Sequence, residues 1–196
     1  MKIRNAVLPV AAVVAALILT GCAATSGMQG MDHPTTPPTS SAGFNNADET
    51  FAREMIAHHQ QAIEMADLVL DKEGVDERVT NLALAIKEAQ GPEIQTMTQW
   101  LTDWGLEPAD GGMGGMDHSS GGMMSDDDMA ALEQATGAEA SSLFLEQMTM
   151  HHQGAIDMAQ QELDNGENPD AIALAAKIID DQTAEIATMQ DILSTL

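Results

Sequence analysis

Two pairs of adjacent histidines, His58-His59 and His151-His152, each follow a methionine by three residues, Met55 and Met148. Imidazole nitrogen and thioether sulfur are ligands, and without thiolate the pair suits Cu(I) and, by the same softness, Ag(I). The chain holds 15 Met, 6 His and one Cys. A single Cys gives neither an internal disulfide nor a cysteine-based zinc site. The other two histidines lie in a repeated string. Met28-x-x-Met31-Asp32-His33 returns as Met113-x-x-Met116-Asp117-His118, followed by Met123-Met124. Both copies sit in Gly/Ser/Pro-rich sequence with no core to fill, so these too are candidate soft-metal ligands; compositional drift is the alternative.

The histidine pairs belong to an internal duplication. Phe51-x-x-x-Met55-x-x-His58-His59-Gln60-x-Ala62-Ile63-x-Met65-Ala66 returns 93 residues later as Phe144 to Ala159. Leu82-Ala83-x-x-Ile86-x-x-x-Gln90-x-x-Glu93-Ile94-x-x-Met97 returns 92 residues later as Leu174 to Met189. Each half reads as a helical hairpin. Phe51, Met55, His58, Ala62, Met65 and Val69 keep a 4-3 rhythm on one helix face, as do Phe144, Met148, His151, Ala155 and Met158. The return helices carry Val79, Ala83, Ile86, Gln90, Glu93, Met97, Trp100 and Trp104, then Ile172, Ala175, Ile179, Gln182, Ile186, Met189, Leu193 and Leu196. The expected fold is all-α: an antiparallel four-helix bundle built from two duplicated hairpins, 47–104 and 126–196.

Boundary signals agree with this. Asn168-Pro169 is an N-cap before a first-turn proline. Thr136-x-x-Glu139 has the spacing of a capping box. Ser125 ahead of Asp126-Asp127-Asp128 starts a short helix, and the run lacks the alternation of a calcium loop. Gly74 and Gly166 mark the hairpin turns. Gly91-Pro92 should kink the second helix.

Folding each hairpin about its turn brings His58 level with about Gln90, and Met55 with about Glu93. The second half does the same with Gln182 and Glu185. Met97 and Met189 cap this polar layer toward Phe51 and Phe144. An apolar bundle has no stability reason to accept so much polarity. One reading is metal coordination by Met55, His58, His59, Met148, His151 and His152, with Met97 and Met189 beside them. Gln90, Glu93, Gln182 and Glu185 would then support the ligands from behind. The other is a structural hydrogen-bonded layer. Met65 and Met158 read as core filler.

At these residues the chain resembles the DUF 305 family, over 48–104 and 126–196. The resemblance implies a ferritin-like four-helix bundle, usually exported, with a copper link in some members and no enzymatic activity assigned for most. The tether and linker strings lie outside that shared core and resemble Met-rich segments of periplasmic copper and silver proteins. A ferritin-like di-metal oxidase would need Glu-x-x-His pairs. Here Glu54 precedes His58 by four residues and Glu146 precedes His151 by five. No nucleophile constellation or phosphate loop points to an enzyme.

The N-terminus reads as an address. Lys2 and Arg4 precede the apolar run Ala6 to Leu19, which ends in Leu19-Thr20-Gly21-Cys22. This resembles a bacterial lipoprotein signal, 1–21, with Cys22 lipidated; an uncleaved anchor helix is the alternative. A tether, 22–46, and a Gly/Met-rich linker, 105–125, complete the organisation. The whole chain has 31 acidic against 7 basic residues, a charge of −24. Loss of residues 1–21 removes Lys2 and Arg4 and no carboxylate, leaving −26. Such a surface repels nucleic acid and favours cations. The expected partners are a metal ion, the membrane through the lipid anchor, and a copper-handling protein. In a bacterial host, labelled fatty acid should enter the wild-type chain and not Cys22→Ser; equal labelling would refute lipidation at that residue.

Overall fold

In the computed structural model, residues 43–107 and 121–196 are described. They form five helices: α1 Asn46–Leu70, α2 Glu77–Asp103, α3 Asp126–Gln134, α4 Gly137–Asn165 and α5 Pro169–Leu193. The four long helices make the expected bundle, and α3 is a short fifth helix ahead of α4. None of the described helices is long and apolar enough to cross a membrane.

Helices α1 and α2 pair as one hairpin and α4 and α5 as the other, with α1 laid against α4. The two inner helices run antiparallel. Asn45 at the start of α1 donates to the carbonyl of Asn165 at the end of α4. At the other end of the bundle, Asp76, which caps α2, meets Ser141 in the first turns of α4.

The apolar stripes produce two core clusters. One holds Ala62, Met65, Val69, Val79 and Ile86 with Phe144, Leu145, Met148 and Met189. The other holds Phe51, Met55, Met97 and Leu101 with Ala155, Ala159, Ala175 and Ile178. The buried polar residues His58, His59, His151, His152, Gln90 and Gln182 come between them in sequence on every long helix. The last helix departs from its predicted seam by one residue at several positions, with Ala171 and Ile192 buried rather than Ile172 and Leu193. Ile178 is buried in place of Ile179, following its repeat mate Ile86, and Leu196 is exposed beyond the helix end.

The caps follow local chemistry with one exception. Asn168 accepts from the N–H groups of Asp170 and Ala171, and Ser125 and Asp128 form a reciprocal capping box. Thr136 starts α4, but its side chain makes no cap hydrogen bond, so the capping box expected with Glu139 does not form. The unanticipated box is Asn45 with Asp48 at α1. Helix α2 runs through Gly91-Pro92 without interruption. The last residues assigned to the tether are also packed: Phe44 stacks on Trp104, with ring centroids 4.6 Å apart.

One end of the bundle carries a feature the other lacks. Asp48 is fully buried and accepts from the N–H groups of Asn45 (2.6 Å), Asn168 (2.8 Å) and Glu167 (3.2 Å). Its repeat mate Ser141 accepts from the N–H of Asp76 in the same way. Beside Asp48 lies buried Glu162, where the other half has Val69. No described residue donates a hydrogen bond to either Glu162 oxygen, so the pair is satisfied only when a Glu162 proton is donated to Asp48. Gly166 makes room, since a Cβ there would collide with the Glu162 carboxyl. Burial, then the hydrogen bond and charge of Asp48, push Glu162 up from 4.5 to about 8. Burial alone would raise Asp48, but the N–H groups of Asn45 and Asn168 outweigh it and hold it low.

A raised acid stabilises the fold fully below its unfolded value and loses that contribution as pH rises through its folded value. The Glu162 contribution is therefore lost between about 4.5 and about 8. The thermal midpoint of the wild type should fall across that window relative to Glu162→Gln, which has no proton to lose. Parallel pH profiles for the two proteins would contradict the shared proton.

Candidate metal centre

The repeat sets the geometry of the centre. Because α1 and α4 are antiparallel copies, equivalent residues meet where the helices cross, and His58 and His151 meet there. Their ring centroids are 3.7 Å apart, tilted by 41°. One helical step round, His59 and His152 turn toward the outer helices. His59 Nε2 donates to Glu93 Oε2 of α2 at 2.8 Å, and His152 Nε2 donates to Glu185 Oε2 of α5 at 2.6 Å. The predicted supporting carboxylates thus contact the flanking histidines. Glu93 is further held by Lys177 Nζ at 2.9 Å, a link from α5 to α2 that joins the hairpins. Nothing in the repeat announces Lys177, whose mate is Ala85.

Carboxylate and carbonyl oxygens only accept, so these contacts fix ring tautomers. His152 presents Nε2 to its carboxylate, and His59 carries its proton on Nε2. So does His58, whose Nε2 donates to the carbonyl of Gly121 at 2.9 Å. Nδ1 of all three, and both nitrogens of His151, are buried with no hydrogen-bond partner among the described residues. Gln90 is in the same condition at both amide atoms, and Gln182 at its oxygen. Native cores rarely leave this many polar atoms unmatched.

The electrostatics keep the inner rings neutral. Burial, reinforced by neighbouring His59, lowers His58 to about 3. Burial and the adjacent His58 hold His151 well below the ordinary histidine value. Burial also lowers His59, against the pull of Glu93. For Glu93, burial alone would raise the carboxyl, but His59 and Lys177 outweigh it and hold it low. The inner imidazoles are thus neutral at physiological pH, the state in which a ring nitrogen can donate to a metal.

Thioethers bracket the layer. Met55 and Met97 belong to the cluster on one side, Met148 and Met189 to the cluster on the other, and all four are fully buried. Met189 Sδ also lies 3.6 Å from Thr149 Oγ1, which donates more closely to Leu145 O at 2.7 Å. Among the described residues, no three His, Cys, Asp or Glu side chains are grouped to hold an ion. A closed donor set here therefore has to include sulfur or to form as the ion enters. Glu54 and Glu146, the nearest approach to a di-metal oxidase motif, are exposed on the outside of their helices. A separate cleft of about 290 Å³ between α1 and α3, bordered by Glu64, Asp126 and Glu133, holds no histidine.

The segment residues fare differently. Met28, Met31, His33, Met113, Met116, His118 and Cys22 lie outside the described residues. Met123 is half-buried, whereas Met124 is buried in the core cluster beside Phe144 and Leu132. The reason for reading Met124 as a linker ligand was the absence of a core around it, and packing now accounts for it. Sequence reasoning also missed Gln61, whose amide pairs with the Met124 backbone in both directions, at 2.9 Å and 2.7 Å. The only sequence signal was a break in the repeat, where Gln61 faces Gly154 in register.

The family model described as "Domain of unknown function (DUF305)" matches residues 48–193. The chain belongs to the DUF305 family. Among solved structures, a DUF305 fragment from Deinococcus radiodurans is 31% identical, with 78% of this chain and 98% of that chain covered and a TM-score of 0.71. A DUF305 protein from Streptomyces coelicolor, described as a candidate secreted protein, is 35% identical over 76% of this chain and 91% of that one, with a TM-score of 0.68. CopM in its Cu(II)-bound form is 33% identical over 75% of this chain and 95% of that one, with a TM-score of 0.65. CopM has also been solved in Cu(I)-bound and Ag-bound forms. No curated protein matches the chain.

If the layer is shaped for a ligand rather than for stability, removing an unmatched group should stabilise the metal-free protein. His151→Leu should raise its stability by about 1–3 kcal/mol in denaturant unfolding near neutral pH, the penalty of an unsatisfied buried polar group. A clear loss of stability would favour a structural polar layer.

Proposed function

We propose that this protein is an exported, lipid-anchored binding protein for soft monovalent metal, Cu(I) and also Ag(I), serving sequestration or transfer. The observation that carries the reading is the set of buried, neutral, unpartnered imidazole nitrogens between two pairs of buried thioethers. That donor set suits a soft ion and leaves a hard divalent ion without enough oxygen ligands. His58, His151, Met55 and Met148 are the inner donors of this reading. His59 and His152 join them through Nδ1, oriented by Glu93 and Glu185, and Met97 and Met189 close the layer.

The CopM structures support the class of ligand, because they hold copper and silver on the same fold at about the same identity as the other relatives. The N-terminal signal resemblance and the candidate secreted relative support an address outside the cytoplasmic membrane. There a thioether site has an advantage, since thiols are lost to oxidation. The anionic surface raises the local cation concentration around the domain. In this reading Met28, Met31, His33, Met113, Met116, His118 and Met123 collect ions near the bundle and exchange them with a copper-handling partner. The role is binding; no residue is given a catalytic step.

The mature domain should compete with a Cu(I) chelator of known affinity at neutral pH. The combined variant Met55→Leu, His58→Leu, Met148→Leu and His151→Leu should lose the tightest site while keeping its helicity. Replacement of Met113, Met116 and His118 by Ser should leave that site and reduce only weaker uptake. Unchanged affinity in the bundle variant would refute the assignment of the inner donors. Identical thermal midpoints with and without Cu(I) or Ag(I) would refute metal binding by the native fold, because a ligand held only by the native state must raise its stability.

A further inference from the structure

The backbone of Gly121–Met124 lies as a strap over the crossing of α1 and α4. Three contacts fasten it. The side chain of Met124 is buried in the core cluster that also holds Leu132, Phe144 and Met65. The carboxamide of Gln61, only 3% exposed, donates to the Met124 carbonyl and accepts from its N–H. On the α4 side the strap and helix meet backbone to backbone. A Cβ on Gly122 would stand 2.7 Å from the Met150 carbonyl oxygen and 2.9 Å from Gly154 Cα, and a Cβ on Gly154 would collide with Gly121. Gly121 and Gly122 both have left-handed φ, +80° and +78°, which side chains rarely tolerate. The outcome is one carbonyl placed on one ring: Gly121 O receives the Nε2 proton of His58 at 2.9 Å.

The two halves divide this work. At one repeat position Gln61 supplies the amide clasp, and at its mate Gly154 supplies the absence of a side chain. A glycine in mid-helix is unfavourable by itself, so its placement under the strap calls for a packing reason. His59 and His152 take their Nε2 acceptors from Glu93 and Glu185 of the outer helices. His58 has no carboxylate, and the strap stands in for one. His151 has no such partner among the described residues.

We propose that Gln61 and Gly154 are positioning residues for the histidine pair: they seat the strap whose Gly121 carbonyl holds the His58 proton on Nε2, directs its lone pair through Nδ1, and must lift for an ion to exchange. The inference rests on the reading of His58 and His151 as metal donors, but its first consequence is visible without metal.

The test uses the full mature chain, as wild type, Gln61→Leu and Gly154→Ala. Long-range 1H–15N correlation of the imidazoles in the metal-free protein reads the tautomer directly. Ag(I) transfer from a chelator, followed by stopped flow, reads exchange. The wild type should show a single His58 tautomer with the proton on Nε2. Each variant should show a mixed or altered His58 tautomer, with Ag(I) exchange roughly tenfold or more faster: Gln61→Leu removes two hydrogen bonds from the closed strap, and the Cβ of Gly154→Ala pushes Gly121 and Gly122 off the helix. Gly154→Ala also improves local helix propensity, so faster exchange in that variant does not come from a loosened helix. A wild-type proton on Nδ1, or variants matching the wild type in tautomer and exchange rate, would overturn the proposal. An altered tautomer in the variants with no Ag(I) uptake by any bundle donor would support the strap and overturn the metal reading beneath it.

Discussion

The contact of His58 with His151 governs the rest of this molecule. Duplication of one hairpin makes α1 and α4 near copies, and antiparallel packing of copies forces equivalent residues together at the crossing. A polar residue at that position is therefore doubled: two imidazoles meet ring to ring in the middle of an apolar bundle. Two neutral rings in contact cannot readily both be charged, and burial makes charging either one harder still. From this follow the other features of the layer. The neighbouring histidines turn outward to carboxylates on α2 and α5, and the apolar core is split into a cluster at each end.

Symmetry explains the scaffold, and departures from it mark where the chain does something specific. Gln61 and Gly154 share a repeat position and do opposite things, one clasping the strap and one clearing space for it. Lys177 braces Glu93, while its mate Ala85 offers nothing to Glu185. At one bundle end Asp48 and Glu162 form a buried carboxyl pair; at the other their mates are Ser141 and Val69. Asp48 and Ser141 still perform the same anchoring task, each accepting from the N–H of the residue that caps the outer helix of the opposite hairpin. The fold has kept the shared hydrogen bond and let the second carboxyl vary.

Much of the architecture was legible in the sequence because it is written in local terms. The 4-3 apolar rhythm, the duplicated Met-x-x-His-His-Gln string, and the cap residues Ser125 and Asn168 depend on near neighbours, and the helices begin and end close to where those signals lie. Hairpin geometry then carried the argument one step further, setting His58 level with Gln90 and Met55 with Glu93, whereas in the structure it is the neighbouring His59 and His152 that reach Glu93 and Glu185. Thr136 shows the limit of a motif: the spacing to Glu139 is right, yet the side chain makes no cap bond. Met124 shows another limit. Composition placed it in a Gly/Met linker, but its surroundings come from α1, α3 and α4, more than 55 residues away along the chain on the α1 side. The Asp48–Glu162 pair spans the two hairpins and has no local signature at all.

The chemistry of the layer follows from what each ring has already given away. A histidine that donates its Nε2 proton to a carboxylate or carbonyl keeps a lone pair on Nδ1, and the acceptor increases the electron density available there. His58 and His59 are in that state, and His152 makes the same outward contact through Nε2. Each outward hydrogen bond therefore does two things: it satisfies one side of a buried ring and prepares the other side as a donor. An apolar bundle seeking only stability would have used leucine at these positions, as helix faces elsewhere in this chain do. A bundle that must hold a soft ion needs rings that are neutral, oriented and unmatched on one side, with polarizable sulfur close by. In the proposed reading, burial would supply the neutrality, the Glu93, Glu185 and Gly121 acceptors the orientation, and Met55, Met97, Met148 and Met189 the sulfur.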